Sequence, residues 1–505
     1  MPPAGAERGS HRKSRPAAPG GYALYALGLL TLINLLNWTD RNVVYALFEP
    51  IKREMSLSDQ QLGWLGSAYV IVLSFAALPL GVVGDLKSRR SVIGFAVAVW
   101  GTFTTLGGVV RRYWQLFLCR SMVGVGEAGY SPAAQALIAE YFPGPRRALA
   151  IGVYSVGMAC GGVLGIWAGG ELALRYGWRT AFVVIGLPAF LLALLASRLR
   201  EPHHRAPAPL LGSLLRSVSH GARSALHYAA PGVAVTLLGA LVSGALILAE
   251  GSVSESATAI FATFAVIGIG WVVLRLIPLA VRRTTQATEV AATALGDFQE
   301  AAATVLATPT LVWVFVGGAM VTFAVNGLVV WAPSFMERVH GMSVAEVGRQ
   351  FAILALAGGV LGVLAGGLLG DLLSARWKGG RVIAAGSGFV LGAPVCVALL
   401  LVRSIHTFAP LLFGTFFFYM WYNGPLPALI LDVVPSAVRA SVLGAFVLFS
   451  HLAGDAIAPP LVGYLSDRAG IGAAVLLLPA VGLVGGLVLL VALRTVARDM
   501  KRAGK

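Results

Sequence analysis

The chain alternates apolar runs of about 20 residues with short polar links, and a helix of that length crosses the hydrocarbon core of a bilayer. Such runs fall near residues 22–47, 61–84, 91–110, 115–139, 147–170 and 179–199. They recur near 310–335, 346–370, 382–402, 408–432, 439–463 and 471–493. Two further runs, near 228–249 and 257–281, lie between the sets. Inside a bilayer each backbone N–H and C=O needs a partner within its own segment, so each run is expected to be a helix. The expected fold is therefore an all-α integral membrane protein: two six-helix bundles, 12 core helices in all, with a two-helix insert between the halves for 14 spans.

Composition agrees with this expectation. Hydrophobic residues make up 57% and charged residues 12% of the 505, and the mean hydropathy of +0.80 is too high for a soluble chain of this size. The net charge of +16 comes from short basic clusters between apolar blocks. A nucleic-acid surface would gather such charge into one stripe, so nucleic acid is not an expected partner. The clusters orient helices instead. With the N-terminus inside, the inner face collects Arg8, Arg12, Lys13 and Arg15, then Lys87, Arg89 and Arg90, Arg146 and Arg147, Arg376, Lys378 and Arg381, and the C-terminal tail. Outer loops keep fewer, among them Lys52, Arg53, Arg111, Arg112 and Arg338. Both termini are thus expected to be cytoplasmic, in a bacterial inner (plasma) membrane. The expected divisions are a disordered basic tail (1–21), the first bundle (22–202), cytoplasmic linker helices carrying the inserted hairpin 228–281 (203–309), the second bundle (310–494) and a basic tail (495–505). Cys119, Cys160 and Cys396 all sit in apolar blocks without a CxxC or Cys/His grouping, so neither a disulfide framework nor a metal or cofactor site is expected.

The halves echo each other. Gly81-Val-Val-Gly-Asp85-Leu-Lys-Ser-Arg89-Arg90 follows the second span, and Gly367-Leu-Leu-Gly-Asp371, with Arg376, Lys378 and Arg381 after it, follows the second span of the other set. Repeated six-helix units meeting over a cavity near mid-membrane are how secondary transporters are built. The loop is expected to be a cytoplasmic gate, Asp85 capping a helix and holding arginines across the contact between the halves.

Charges within the spans narrow the function. Arg120, Gly124, Glu127 and Ser131 stand at i, i+4, i+7 and i+11 of the fourth span and share one face. A charge at the bilayer centre costs about 2.5–3.5 kcal/mol on the lenient scale, so this face should point inward. One reading is an Arg–Glu pair that only pins helices together. The other is favoured because a buried pair is often no more stabilising than apolar packing: a proton-titrating carboxylate beside a permanent cation that also holds an anionic substrate. Asn34, Asn37, Asp40 and Arg41 form a similar seam in the first span. In the second half the softer candidates for the cavity wall are Asn326, Trp331, Tyr419, Tyr422, Asn423, and His451 with Asp455 at i, i+4, each aromatic being at least as readily a packing residue. Glycines from Gly152 to Gly170 repeat at small-xxx-small spacing, which lets helices approach closely.

These motifs resemble those of the major facilitator superfamily. GVVGDLKSRR is similar to its signature between the second and third helices, with Ser88 where the family usually has Gly. RSMVGVG resembles the fourth-helix motif, and the fifth span the glycine-rich motif of antiporters. NWTDR in the first span, R-x3-G-x-GEA-x-YSPAA in the fourth and YGWR before the sixth are similar to the spinster-like branch, proton-coupled exporters of lysolipids and sphingoid phosphates. The resemblance implies that Asp40 and Glu127 are the proton-linked carboxylates and that Arg41 and Arg120 lie with them near the cavity. The two-helix insert departs from that branch's twelve-span pattern.

The expected function is a proton-coupled secondary active transporter working by alternating access, exporting an amphiphilic anionic or zwitterionic substrate such as a lysolipid. Hydrophobic drugs and small aromatic acids are the alternative cargo. An enzyme is not expected, because HExxH, a GxSxG in its strand–helix context and His clusters within the spans are all missing; a non-transporting receptor is the remaining alternative, but it would not need Asp40 and Glu127 to titrate. The expected partners are protons, a small-molecule or lipid-like substrate and membrane lipids, with the chain a monomer.

Overall fold

The computed structural model describes residues 20–86, 88–143, 146–201 and 300–504, with isolated positions between 233 and 268. Among the described residues all regular structure is helical. The first half contains α1 (Gly21–Ala46), α2 (Phe48–Met55), α3 (Asp59–Leu86), α4 (Arg89–Gly107), α5 (Tyr113–Tyr141), α6 (Arg147–Tyr176), α7 (Trp178–Gly186) and α8 (Pro188–Ser197). The second contains α9 (Pro309–His340), α10 (Val344–Ser374), α11 (Gly380–Leu401), α12 (Ile405–Tyr419), α13 (Pro425–Val433), α14 (Arg439–Ser450), α15 (Ala458–Ala469), α16 (Ile471–Ala474), α17 (Leu477–Val491) and α18 (Val496–Arg502). Eight stretches among the described residues are long and apolar enough to cross a membrane. The chain is an integral, multi-pass membrane protein.

Local chemistry sets many of the boundaries. Ser343 and Glu346 form a capping box at the start of α10, with Ser343 N–H donating to Glu346 Oε2 at 2.8 Å and Glu346 N–H to Ser343 Oγ at 3.3 Å. Four expected spans are interrupted. The run 179–199 divides at Leu187 into α7 and α8, ahead of Pro188. The run 408–432 breaks at Trp421–Asn423 before Pro425, which has no N–H to continue the ladder. The run 439–463 contains a widened turn over His451–Asp455, where the Ala456 N–H reaches back five residues to the His451 carbonyl at 2.9 Å. The last run divides into α16 and α17. An apolar tally registers none of these breaks, because it counts side chains and not backbone bonds.

In the first half α6 lies along α1, and α5 along α3 and α4; in the second, α9 and α11 pack on α17, and α10 on α12. The α6 glycines Gly157, Gly161 and Gly165 face the backbone carbonyls of Thr31, Leu35 and Thr39 on α1, so any side chain there would force the helices apart. The halves meet through α3 with α15 and α6 with α10. Their apolar cores are unequal. One, including Ala26, Ile33, Val97, Trp100, Tyr130, Leu137 and Ala196, belongs to the first half alone. The other joins Val43, Phe48, Leu62 and Phe182 to Trp331, Phe335 and Val462, so the halves share a core at the end where α1 finishes and α3 begins.

The expected tail 1–21, the linker helices of 203–309 and most of the hairpin lie outside the described residues. Within the hairpin, residues Thr236–Ala245 are helical. Ser243 Oγ donates to the Ala257 carbonyl at 2.8 Å, and Phe264 packs beside Phe75 of α3 with ring centroids 6.5 Å apart.

Candidate functional site

The charged residues of α1 and α5 come together as two pairs in the interior of the first half. Arg41 Nε donates to Glu127 Oε2 at 2.5 Å. Arg120 Nη1 donates to Asp40 Oδ1 at 3.2 Å and to the Asp40 carbonyl at 3.2 Å, while its Nη2 reaches the Arg41 carbonyl at 3.4 Å. Thr104 of α4 closes the second pair by donating Oγ1 to Asp40 Oδ2 at 2.5 Å. Asp40, Arg120 and Glu127 are each 1% exposed. These pairings correct an expectation: Arg120 and Glu127 share a helix face, yet each takes its partner from α1. Within one helix the two are held seven residues apart, whereas adjacent Asp40 and Arg41 present one carboxylate and one guanidinium to both.

Two features hold the geometry. Tyr69 of α3 lies between the guanidinium groups, its ring centroid 5.6 Å from each Cζ, and Trp38 lies 4.6 Å from that of Arg41. Gly124 lets α5 come against α3, because a Cβ there would strike the Tyr69 carbonyl and sit 3.1 Å from the Leu73 nitrogen. Tyr69, Trp38 and Thr104 escaped sequence reasoning. Tyr69 and Thr104 carried a weak signal, being polar groups in apolar runs, but no spacing tied them to α1 and α5.

The pairs differ in access. Arg41 keeps 15% of its side chain exposed while Glu127 has none, and Glu127 Oε1 has no hydrogen-bond partner among the described residues. On the facing half, His451 Nε2 lies 3.7 Å from Asp455 Oδ2, the side chains 34% and 19% exposed. Asn326 Nδ2 donates to the Asp455 carbonyl at 2.9 Å, tying α9 to the widened turn. Tyr69 and Val70 of α3 pack with Ala456 beside this turn, so the halves meet here.

Other predicted residues fall elsewhere. Trp331 is fully buried, with Nε1 donating to the Pro459 carbonyl at 3.0 Å, and Tyr419 stacks on Phe389 at 4.7 Å; both are packing, not cavity wall. Asn423 bonds back to the Met420 carbonyl at 3.3 Å. Asn37 is buried, with Nδ2 unpartnered among the described residues, and Ser131 accepts from Gln135 at 3.3 Å. Gly81 and Asp85 fall near the end of α3, and the Asp85 side chain lies outside the described residues. Arg89 pairs with Glu140, and the Arg90 N–H donates to Glu201 at 2.7 Å. Both partners belong to the same half, so the expected bond of these arginines across the halves is not formed here. In the second half Arg381 pairs with Asp432 and lies 3.6 Å from Asp371. Each half thus joins a basic residue after its second span to an acid at the end of its fourth, as a repeat requires.

Comparison with known proteins gives concordant findings. The model of the Major Facilitator Superfamily matches residues 30–226 and 208–455. An MFS-type efflux pump of Mycolicibacterium smegmatis is 28% identical over 433 residues, covering 86% of this chain and 82% of the relative. Protein spinster of Drosophila melanogaster is 24% identical over 446 residues, covering 86% of this chain but 60% of the fly protein. A bacterial homologue of the human lysosomal transporter spinster, solved in an inward-facing and unoccupied conformation, superimposes with a TM-score of 0.71 at 22% identity, covering 95% of this chain and 98% of that one.

Proposed function

The chain belongs to the Major Facilitator Superfamily; from that premise, and from its likeness to spinster proteins, we propose a spinster-like, proton-coupled secondary active transporter working by alternating access. Its two halves, 22–202 and 310–494, each supply six spans. The hairpin 228–281 adds two, and both termini face the cytoplasm of a bacterial cell. The chain acts as a monomer.

The observation that carries this reading is the double pair Arg41–Glu127 and Arg120–Asp40. Two guanidinium groups that never deprotonate face two carboxylates that can, so the group is neutral only while both acids are ionised. A proton on Glu127 loosens Arg41, the more accessible cation, and leaves one uncompensated positive charge. An anionic headgroup then finds Arg41 free, and the balance between the two states of the halves shifts. Asp40, enclosed by Arg120 and Thr104, is the second and slower proton site. Asp455 and His451 form the opposite wall of the headgroup site, with Asn326 fixing the turn.

An amphiphilic anion or zwitterion such as a lysolipid suits this arrangement, with its apolar tail against the aromatic second half. A second reading, export of hydrophobic drugs or aromatic acids, is favoured by the likeness to the mycobacterial efflux pump. Proteoliposomes under an imposed pH gradient decide between them, with lysophospholipids, sphingosine phosphate and common drugs offered at two pH values. Glu127→Gln and Asp40→Asn are expected to abolish gradient-driven movement while substrate binding persists. Undiminished gradient-driven transport in both variants would end the proton-coupling reading.

A further inference from the structure

A second ionic group joins the two halves, on residues the sequence shows only as ordinary loop charges. Arg338, near the end of α9, donates Nη1 and Nη2 to Asp59 Oδ2 and Oδ1 of the first half at 2.6 and 2.7 Å, and Nε to Glu49 at 2.8 Å. Lys52 of α2 and Ser466 of α15 each add a 2.5 Å bond to the Asp59 carboxylate. Burial alone would raise the carboxyl of Asp59, but bonds from Arg338, Lys52 and Ser466 outweigh it and hold the group at about 2.

The contact is reciprocal. The first N–H groups of a helix lack an acceptor within it, and at the start of α3 those of Asp59 and Gln60 donate to Asp467 of α15 at 2.8 and 2.9 Å. The second half therefore caps a helix of the first, while the first neutralises an arginine of the second. Arg53–Glu337 at 3.9 Å and Arg349–Glu171 at 2.6 Å bridge the halves at the same end. At the opposite end Arg89 and Arg381 bond within their own halves.

We propose that Arg338, Asp59 and Asp467 form an outer clamp whose two opposed bonds must both break before the outward-facing state can open. This rests on the alternating-access reading, and it adds a physical cost to one direction of rocking. Separating the halves strips a planar, bidentate guanidinium from its carboxylate and uncaps α3 in one step. A lysine at position 338 keeps the charge but cannot make the fork.

The test uses the full chain in lipid nanodiscs, with Cys119, Cys160 and Cys396 replaced by serine. Spin labels at Tyr176 and Val339, both exposed, report the outer separation of the halves, and labels at Leu149 and Leu372, also exposed, report the inner. Arg338→Lys and Asp467→Ala are each expected to raise the ratio of outward-open to inward-open molecules about tenfold, the size of one charge-assisted bond. The outer distance should lengthen as the inner shortens. Unchanged distances in both variants, or outer lengthening without inner shortening, overturn the clamp. No transport enters this readout, so loss of pH-driven transport in Glu127→Gln bears on the proposed function and not on the clamp.

Discussion

The two ionic groups use the same chemistry to opposite ends. The Arg41–Glu127 and Arg120–Asp40 pairs are largely buried, Arg120–Asp40 almost completely, and lie wholly within the first half, so rocking of the halves need not break them. The Asp59 group is partly wet and its bonds to Arg338, Ser466 and Asp467 run between the halves, so rocking must break those. A buried pair holds charge where water cannot compensate it, and its state is changed by a proton. A bridging pair at the rim is exposed whenever the halves part, and its state is changed by geometry. In the proposed mechanism charge coupling and conformational coupling thus occupy different regions, and substitutions should separate them.

The largest effect is expected at Arg120. Arg120→Ala strands Asp40 as a buried, unpaired carboxylate, a loss of about 3–5 kcal/mol, to be seen as a sharp fall in melting temperature and in detergent-extracted yield. If the melting curve stays put, the first group is not a dry pair and the contrast drawn above dissolves. Glu127→Gln comes next: it leaves Arg41, which is part-exposed and can draw water, so its stability loss should be clearly smaller than that of Arg120→Ala while pH-driven transport is abolished. Comparing melting shift with transport in one preparation sharpens the distinction between holding charge and moving it.

A smaller effect is expected at Thr104. Thr104→Val deletes one bond to Asp40 and should lower stability by about 1–2 kcal/mol, measured by thermal unfolding, with the transport pH profile displaced and not flattened. Smallest is the pH dependence of the rim. Asp59 is depressed from 3.8 to about 2, so its contribution is present above its ordinary value and is lost only as pH falls toward 2. Glu337 on the same rim is raised by burial to about 8, so the window below it isolates Asp59: the shift in conformer populations caused by Asp59→Asn should be equal at pH 4 and pH 6 in the label-distance experiment. A change between those values would make the rim a proton sensor and erase the division between the two groups.

Much of the fold was legible in the chain. The first six expected spans fall on α1, α3, α4, α5, α6 and the pair α7–α8, because a bilayer admits few lengths and only closed backbone bonding. The positions of Asp40, Arg41, Arg120 and Glu127 in the interior were legible for the same reason: charge in an oily run has nowhere else to go. Pairing was not. Residues on one face of α5 looked like partners, yet each bonds to α1, and periodicity along one helix carries no information about a neighbour 80 residues away. Trp331 and Tyr419 failed as cavity candidates on similar grounds, since an aromatic in an apolar span has the same sequence signature whether it faces a cavity or a core. Arg338 was counted only toward orientation, although three separate segments of chain supply its group.

The sequence by itself determined that this chain lives in a membrane, that it is helical, that it repeats, and which charges are buried, because length, hydropathy and the cost of burying charge are properties of segments. Only the tertiary structure decided which acid meets which base, which end of the halves is bolted and which helix is capped by another's carboxylate. Those contacts depend on the few ångströms separating helices, a distance set by packing across the whole fold.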